Sequence, residues 1–453
     1  MLRQHCLAPS QYRQRGPGTI HRMITETEPF SIVSGLRQAE TGLPDWFTEQ
    51  QISAWADFER QPLPTRTDEL WRFSAVNNLA LDQYIVPAEY SEDSSGIVSA
   101  RAFPEPSGRI VFANERAVQV ESFNPALEAQ GVLFLTLEEA LAKYSGLLRE
   151  HFMAQPARLG SKKFAALHKA LVRSGSFLYV PPGVQIEVPF EVFHIVEGDR
   201  TAIFPHTLII AEEGSRVTFL DHFVSADETQ AGFACGVNDL VLKPGATLNY
   251  VSLQDWSKTF VSVQVNSTVA GRDSSALNLS MNFGGKYSRL ESVSRMIGTG
   301  ARSDMLAVSI ASGDQEFDQR TLQDHLKPNT TSDLLYKNSL NDRARSIFSG
   351  LIKVERGAHR TDAYQKVRNL LLSDEAEANS LPGLEILADN VRCTHGATSG
   401  QVAPEELFYL KSRGIPENTA KSLVVRGFLN EVVNRLPDGK LTEYLHKQID
   451  AHL

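Results

Sequence analysis

A turn signal that returns at nearly constant spacing does most to limit what this chain can fold into. From about residue 174 onward, turn-forming residues fall at Gly183, Gly214, Gly245, Asp273, Gly300, Asn329, Gly357 and Asp389. The successive differences are 31, 31, 28, 27, 29, 28 and 32 residues. A second set lies near the midpoints, at Gly198, Glu228, Ser257, Gly285, Gly313, Arg343 and Glu375. Short strand-like segments stand between them. In the clearest, Leu277, Leu279, Met281 and Phe283 alternate with Asn278, Ser280 and Asn282; Leu306, Val308 and Ile310 alternate with Ala307, Ser309 and Ala311. A period of two puts each apolar set on one face. One coil cannot bury such a face alone, whereas stacked coils share a continuous interior. The pattern predicts a mainly β chain with a right-handed parallel β-helix (solenoid) over residues 174–400, the hand following from the crossover rule. An antiparallel sandwich also has short strands, with turns every 8–12 residues or so. Here the turns are nearer 14–15 apart, and that stretch has no Asn-Gly or Asp-Gly hairpin turn.

The flanks read differently. Over residues 23–173 the text is mixed α/β. Trp46, Phe47, Ile52, Trp55 and Phe58 predict an amphipathic helix after Pro44. Ile110-Val111-Phe112 and Val118-Gln119-Val120 around Asn114-Glu115 predict a hairpin. Leu137 to Phe152 and Lys162 to Val172 read as helices. Residues 401–453 read as three helices. The first, Pro404 to Arg413, has acids at its start, bases at its end and Gly414 beyond. The second places Ala420, Leu423, Val424, Phe428, Val432, Val433 and Leu436 on one stripe. The third runs from Leu441 to His452. Residues 1–22 form a tail with Arg3, Arg13, Arg15 and Arg22 and no acid, read as disordered or targeting-like.

With 42% apolar and 22% charged residues, the chain has ample material for a core, which excludes disorder along its length. The net charge is 45 − 54 = −9 with no basic stripe, which argues against a nucleic-acid partner. No apolar run approaches the 18 or so residues of a membrane helix. Cys6, Cys235 and Cys393 lie far apart and form no disulfide framework. Scarce, scattered cysteines and the lack of a secretory signal suit a cytoplasmic location, or an organelle if the tail is a transit peptide.

The usual catalytic signatures are absent: no phosphate loop, no GxGxxG, no HExxH, no GxSxG. One local group stands out at the last expected coil, Val391-Arg392-Cys393-Thr394-His395-Gly396-Ala397-Thr398. On a strand, positions i and i+2 share a face, so Cys393 and His395 point the same way. A thiolate with an imidazole is half of a soft-metal site, or a nucleophile–base pair, or merely a buried Cys beside an ordinary His. An iron–sulfur cluster usually takes about four protein ligands. This strand offers two, and Cys235 is several coils away, so a metal centre here needs donors from a second chain or from small ligands.

Several blocks resemble the SufB/SufD family: Leu381-Pro382-Gly383-Leu384-Glu385-Ile386 with Ala388-Asp389, then Cys393-Thr394-His395-Gly396-Ala397-Thr398, then Phe408-Tyr409-Leu410 and Ser412-Arg413-Gly414-Ile415. Arg66-Thr67-Asp68-Glu69-Leu70-Trp71-Arg72-Phe73 is similar to the amino-terminal signature of the SufD branch. The likeness runs over residues 30–450 or so. It implies a non-catalytic scaffold component of the SUF iron–sulfur cluster assembly machine, with a β-helix between an N-terminal domain and C-terminal helices. It implies pairing with a SufB paralogue, a homodimer being the other arrangement, and binding of the ABC-type ATPase SufC. It also implies a transient cluster shared with SufB, a role in iron acquisition, and reduced FAD in the complex. Cys393 and His395 match the motif placed near the SufB contact. The ATPase contact falls to the C-terminal helices, where Phe408, Tyr409, Leu423, Val424, Phe428 and Val432 are the candidates. Two other functions remain: a metal-free adaptor for an ABC-type ATPase, and a β-helix polysaccharide lyase, against which stands the lack of acidic clusters in register on one coil face.

Overall fold

The computed structural model describes residues 30–36, 42–86, 94–121 and 123–453. The expectations for residues 1–22, Cys6 included, lie outside the described residues. The centre of the chain is a parallel β-solenoid. Each coil gives one strand to each of two sheets. One sheet ends in the strands Tyr287–Met296, Glu316–His325, Arg345–Val354 and Glu377–Ile386; the other ends in Ser275–Asn282, Arg302–Ala311, Thr331–Leu340, Asp362–Leu371 and Arg392–Gln401. Pairing is parallel and unshifted from coil to coil. One interior column therefore runs Phe190, Phe219, Tyr250, Asn278, Met305, Leu334, Gln365 and His395.

The turns explain why the step stays so regular. Gly183, Gly214, Gly245, Gly300 and Gly357 have positive φ, as do Asp273 and Asn329. Left-handed backbone favours Gly and, among other residues, Asn and Asp. Each such residue turns the chain at the same point of its coil.

The apolar alternation falls on the opposite face from the one a shared apolar interior requires. Leu277, Leu279 and Met281 point outward and pack against Val425, Leu429, Val432 and Leu445 of the C-terminal helices. Asn278, Ser280 and Asn282 point into the lumen. There Thr268 Oγ1 donates to Asn278 Oδ1 (3.5 Å) and Ser252 Oγ to Ser280 Oγ (3.2 Å), while Asn282 Nδ2 donates to Ser309 Oγ (3.3 Å). Hydroxyl and amide pairs also bridge the two sheets, as in Ser294–Ser303 (2.6 Å) and Gln319–Ser309 (3.0 Å). Buried polar groups are tolerated because they bond one another.

The N-terminal region shares the solenoid's sheets. Gly108–Ala113 pairs in parallel with Phe190–Val196 and forms the expected hairpin with Arg116–Val120, Asn114 turning with φ 54°. Leu133–Thr136 pairs with Gly175–Val180. The helix Asp45–Arg60 buries Phe47, Ala54, Trp55 and Phe58 and packs on the helix Lys162–Leu171. The expected helix over 137–152 is divided at Tyr144 into Leu137–Lys143 and Ser145–His151. A buried charge cluster fixes this region to the outside of the first sheet. The Arg289 guanidinium bonds Glu291 and Asp318, donates to the Leu70 and Leu159 carbonyls, and lies 3.6 Å from the centre of the Trp71 ring.

Three helices follow the last strand: Pro404–Ser412, Glu417–Val433 and Gly439–Asp450. The Asp438 side chain accepts from the N–H groups of Lys440 and Leu441 and caps the third. Among the described residues no helix is long and apolar enough to cross a membrane.

Candidate functional site

Among the described residues no strand pairs over the last coil of the solenoid. Among the described residues Arg392–Gln401 pairs only with Asp362–Leu371, and Glu377–Ile386 only with Arg345–Val354, so two ten-residue strands present edges side by side that no described strand pairs. Leu384, Ile386 and Leu387 are exposed there. The alternation of the coil beneath shows where the last side chains point. Ala363, Gln365, Val367 and Asn369 are buried in the lumen while Tyr364 and Lys366 are exposed. In register, Cys393 stands over Ala363 and His395 over Gln365. Both therefore face the mouth of the lumen, about 6.6 Å apart along the strand.

Their surroundings differ. Cys393 is half-buried against Ile352, Val354, Ala358, Ala363, Ala388 and Val391. Burial, and then the nearby Asp362 carboxylate, push its thiol pKa up, so the group is a thiol at neutral pH. His395 is exposed and makes no hydrogen bond or ion pair with the rest of the described chain. Among the described residues no three His, Cys, Asp or Glu side chains come together as a metal site. The mouth thus carries a free imidazole and a protonated thiol on one face, too few donors for a metal centre. Cys235, the other described cysteine, is fully buried elsewhere under the N-terminal helices.

The expected docking stripe separates. Phe408 and Tyr409 are 73% and 57% exposed and Leu423 is 43% exposed. Val424 is partly covered, and Phe428 lies beneath the Lys337 ammonium, 4.3 Å from its ring centre. Val432 is fully buried in the core between helix and solenoid, so as a surface residue it is corrected. The helix buries Val425 and Leu429 instead of Leu423 and Val424. Its stripe is turned relative to the sequence reading because the solenoid's outer apolar face sets which side is covered.

A groove of about 1090 Å³ lies beside the last helix, lined among others by Arg101, Asp255, Trp256, Phe283, Tyr444 and His452. Its aromatic rings are buried against the protein's own groups: His452 stacks on Phe283 at 3.9 Å, and Phe260 stacks on Trp256 at 4.6 Å. The lining mixes Arg101, Lys258, Lys440 and Lys447 with Glu105, Glu228, Asp255 and Glu443. Neither a free stacking face nor a net positive wall is offered, so this groove does not fit a flavin.

The sequence singled out Cys393 and His395, which the structure brings to one face of the mouth, but not Gln365 beneath His395 or the exposed Leu387 on the rim. The solenoid step of 30 residues between positions 365 and 395 was the signal for Gln365.

Fold and mouth together define a parallel β-solenoid scaffold with an uncovered end and an incomplete set of metal donors. Residues 194–428 match the family described as "SUF system FeS cluster assembly, SufBD core domain", and residues 38–192 match the "SufBD protein N-terminal region". The chain is 32% identical over 404 residues to the iron-sulfur cluster assembly protein SufD of Bacillus subtilis, covering 87% of this chain and 91% of that one. It is 27% identical to SufB of the same bacterium, covering 87% and 86%. A SufBD family protein of Staphylococcus haemolyticus is 26% identical over the same shares. The chain belongs to the SufB/SufD family of the SUF iron–sulfur cluster assembly system.

Proposed function

We propose that this chain is a non-catalytic scaffold that pairs with a SufB-type paralogue through the open end of its solenoid and holds a cluster under assembly at the joint. The observation that carries this reading is the uncovered last coil, with two unpaired ten-residue edges and Cys393 and His395 at the mouth between them. Edge strands of this length are templates for strand addition by another chain. The cluster is the cargo, and Cys393 and His395 supply two of its donors. The partner's donors or inorganic sulfide supply the others. Binding at Cys393 releases a proton, since the thiol is held protonated until a metal or a cationic group arrives. The exposed Phe408, Tyr409 and Leu423 serve as the docking face for the SufC ATPase, which has the helix Glu417–Val433 as its link to the solenoid. That link is stiff: the Lys337 ammonium donates to the Phe428 carbonyl (2.7 Å) and pairs with Glu431, and Arg435 pairs with Asp333 (2.6 Å).

The test is anaerobic co-expression with SufB and SufC, followed by iron and sulfide analysis and an absorption spectrum. The scaffold reading expects the His395→Ala complex to assemble with less iron and sulfide. Equal loading would remove His395 from the donor set and, if Cys393→Ala also loads equally, favour a metal-free adaptor.

A further inference from the structure

The last helix, Gly439–Asp450, is held to the solenoid in two ways. Along its length Leu441, Tyr444, Leu445 and Ile449 are buried in the apolar core beneath it. At its end the hold is polar. His452 follows the helix, and its ring lies flat on Phe283, with 3.9 Å between ring centres and 13° between planes. Its Nδ1 is 2.7 Å from the Gln448 carbonyl oxygen. Its Nε2 is 3.3 Å from Asp255 Oδ1, at the end of the strand Thr247–Asp255. The other oxygen, Asp255 Oδ2, accepts from the Arg101 guanidinium (2.9 Å) of the helix Ser95–Arg101. The Arg101 carbonyl in turn accepts from the Tyr444 hydroxyl (2.5 Å), so Arg101 is tied to the last helix both directly and through Asp255.

This arrangement calls for a doubly protonated ring. A carbonyl oxygen can only accept, and so can an ionised carboxylate, so each ring nitrogen needs a hydrogen of its own. A neutral imidazole has one. Whichever nitrogen lost its proton would turn a lone pair toward an oxygen. Burial alone would lower the His452 pKa, but the Asp255 carboxylate and the Gln448 carbonyl outweigh it, against the Arg101 charge, and hold it above the ordinary value. Burial would likewise raise the Asp255 pKa, but His452 and Arg101 hold it below the usual carboxylate range. Asp255 therefore stays ionised across neutral pH, and the imidazole is the member that titrates. The other charged groups of the groove, Glu105, Glu228, Lys258, Lys440, Glu443 and Lys447, are three of each sign. Asp450 pairs with Arg426 (2.6 Å), and the Leu453 carbonyl accepts from Ser422 Oγ (3.3 Å).

We propose that His452 is a protonation-controlled latch, which fastens the C-terminal end of the last helix to the coil beneath when its imidazole is charged and releases it when neutral. The latch acts on the helix itself, whatever docks there. An unfolded His titrates near 6.5 or so. The folded chain binds this proton more tightly, so the stability that the latch gives is complete below about pH 6.5 and is lost as the pH rises through the higher folded value.

NMR of the full chain with labelled histidine rings reads the titration, the His452 signal being assigned by its proximity to the Phe283 ring. The expected result is a His452 ring that titrates above about pH 6.5 in the wild type and lower than that in Asp255→Asn. A wild-type ring that titrates at or below the ordinary value overturns the proposal without need of any variant. Hydrogen exchange reads the release. Corrected for the intrinsic base-catalysed rate, protection of the amides in the last turn of the helix should fall about tenfold between about pH 6 and 8.5. In His452→Gln it should be low and independent of pH. Constant wild-type protection across that range would leave the ring as a packing contact and overturn the latch.

Discussion

His395 sits in register on Gln365, so the imidazole occupies a lumen-facing column position above which the described residues place no further coil. Gln365 is sealed by that coil; His395 is exposed. The same column position is structural in one coil and available in the next. Because His395 bonds nothing among the described residues, His395→Ala should change unfolding stability by no more than about 0.5 kcal/mol. The same variant should lower iron and sulfide in the anaerobic complex. Urea unfolding and metal analysis on one preparation read both effects, and a large stability loss would show that the ring is a packing residue.

Arg289 joins the N-terminal region to the solenoid. Burial alone would raise the Asp318 pKa, but the Arg289 and Arg320 guanidiniums outweigh it and hold the carboxylate below its usual range. Arg289→Met leaves Glu291 and Asp318 buried without this partner. Breaking a buried pair by removing one member costs about 3–5 kcal/mol. The midpoint of urea unfolding should fall accordingly, and a shift under 1 kcal/mol or so would mean that the cluster relaxes without Arg289.

Asp239 should make stability depend on pH in the unusual direction. Burial pushes its carboxyl up to about 7, against the Met153 N–H and the Lys169 charge that favour ionisation. An unfolded Asp titrates near 3.9 or so. The folded chain therefore holds the proton more tightly. The stability this gives is complete below about pH 4 and is lost as the pH rises through about 7. Asp239→Asn keeps an oxygen for the Met153 N–H and removes the titration. Relative to wild type, the variant should gain stability between pH 5 and 8, read as melting temperatures across that range. A pH-independent difference would place the carboxyl's titration outside this window.

The coil step and its turns were legible because left-handed backbone admits few residues. Asp273 and Asn329 stand at positive φ where the spacing put turns, and the final turn at Asp389 is displaced by one residue, to Asn390. Cys393 and His395 share a face because alternation is a property of the strand alone. The direction of the faces was not legible. Period two says that Leu277 and Leu279 are neighbours but not whether they look into the lumen or out at another element. The outcome depends on the C-terminal helices, more than a hundred residues later, which bury that apolar row and leave the lumen to Asn278 and Ser280. Val432 was misjudged for the same reason, since a helical stripe does not reveal which part of it an unseen surface will cover.

The two sides of the helix Glu417–Val433 should separate stability from docking. Leu429 is fully buried against the outer face of the solenoid. Leu429→Ala removes a branched side chain from a packed site and should cost about 2–5 kcal/mol. Leu423 on the same helix, and Phe408 on the one before, project outward and fill no core. Their replacement, as Leu423→Asp with Phe408→Ala, should leave the unfolding midpoint nearly unchanged. Capture of SufC by the co-purified complex should nonetheless fall at least tenfold, because large exposed apolar side chains are the usual anchors of a contact surface. Titration of SufC onto the wild-type and doubly substituted complexes by calorimetry measures this. Equal affinities would remove the helices from the docking face and leave the solenoid flank as the ATPase contact.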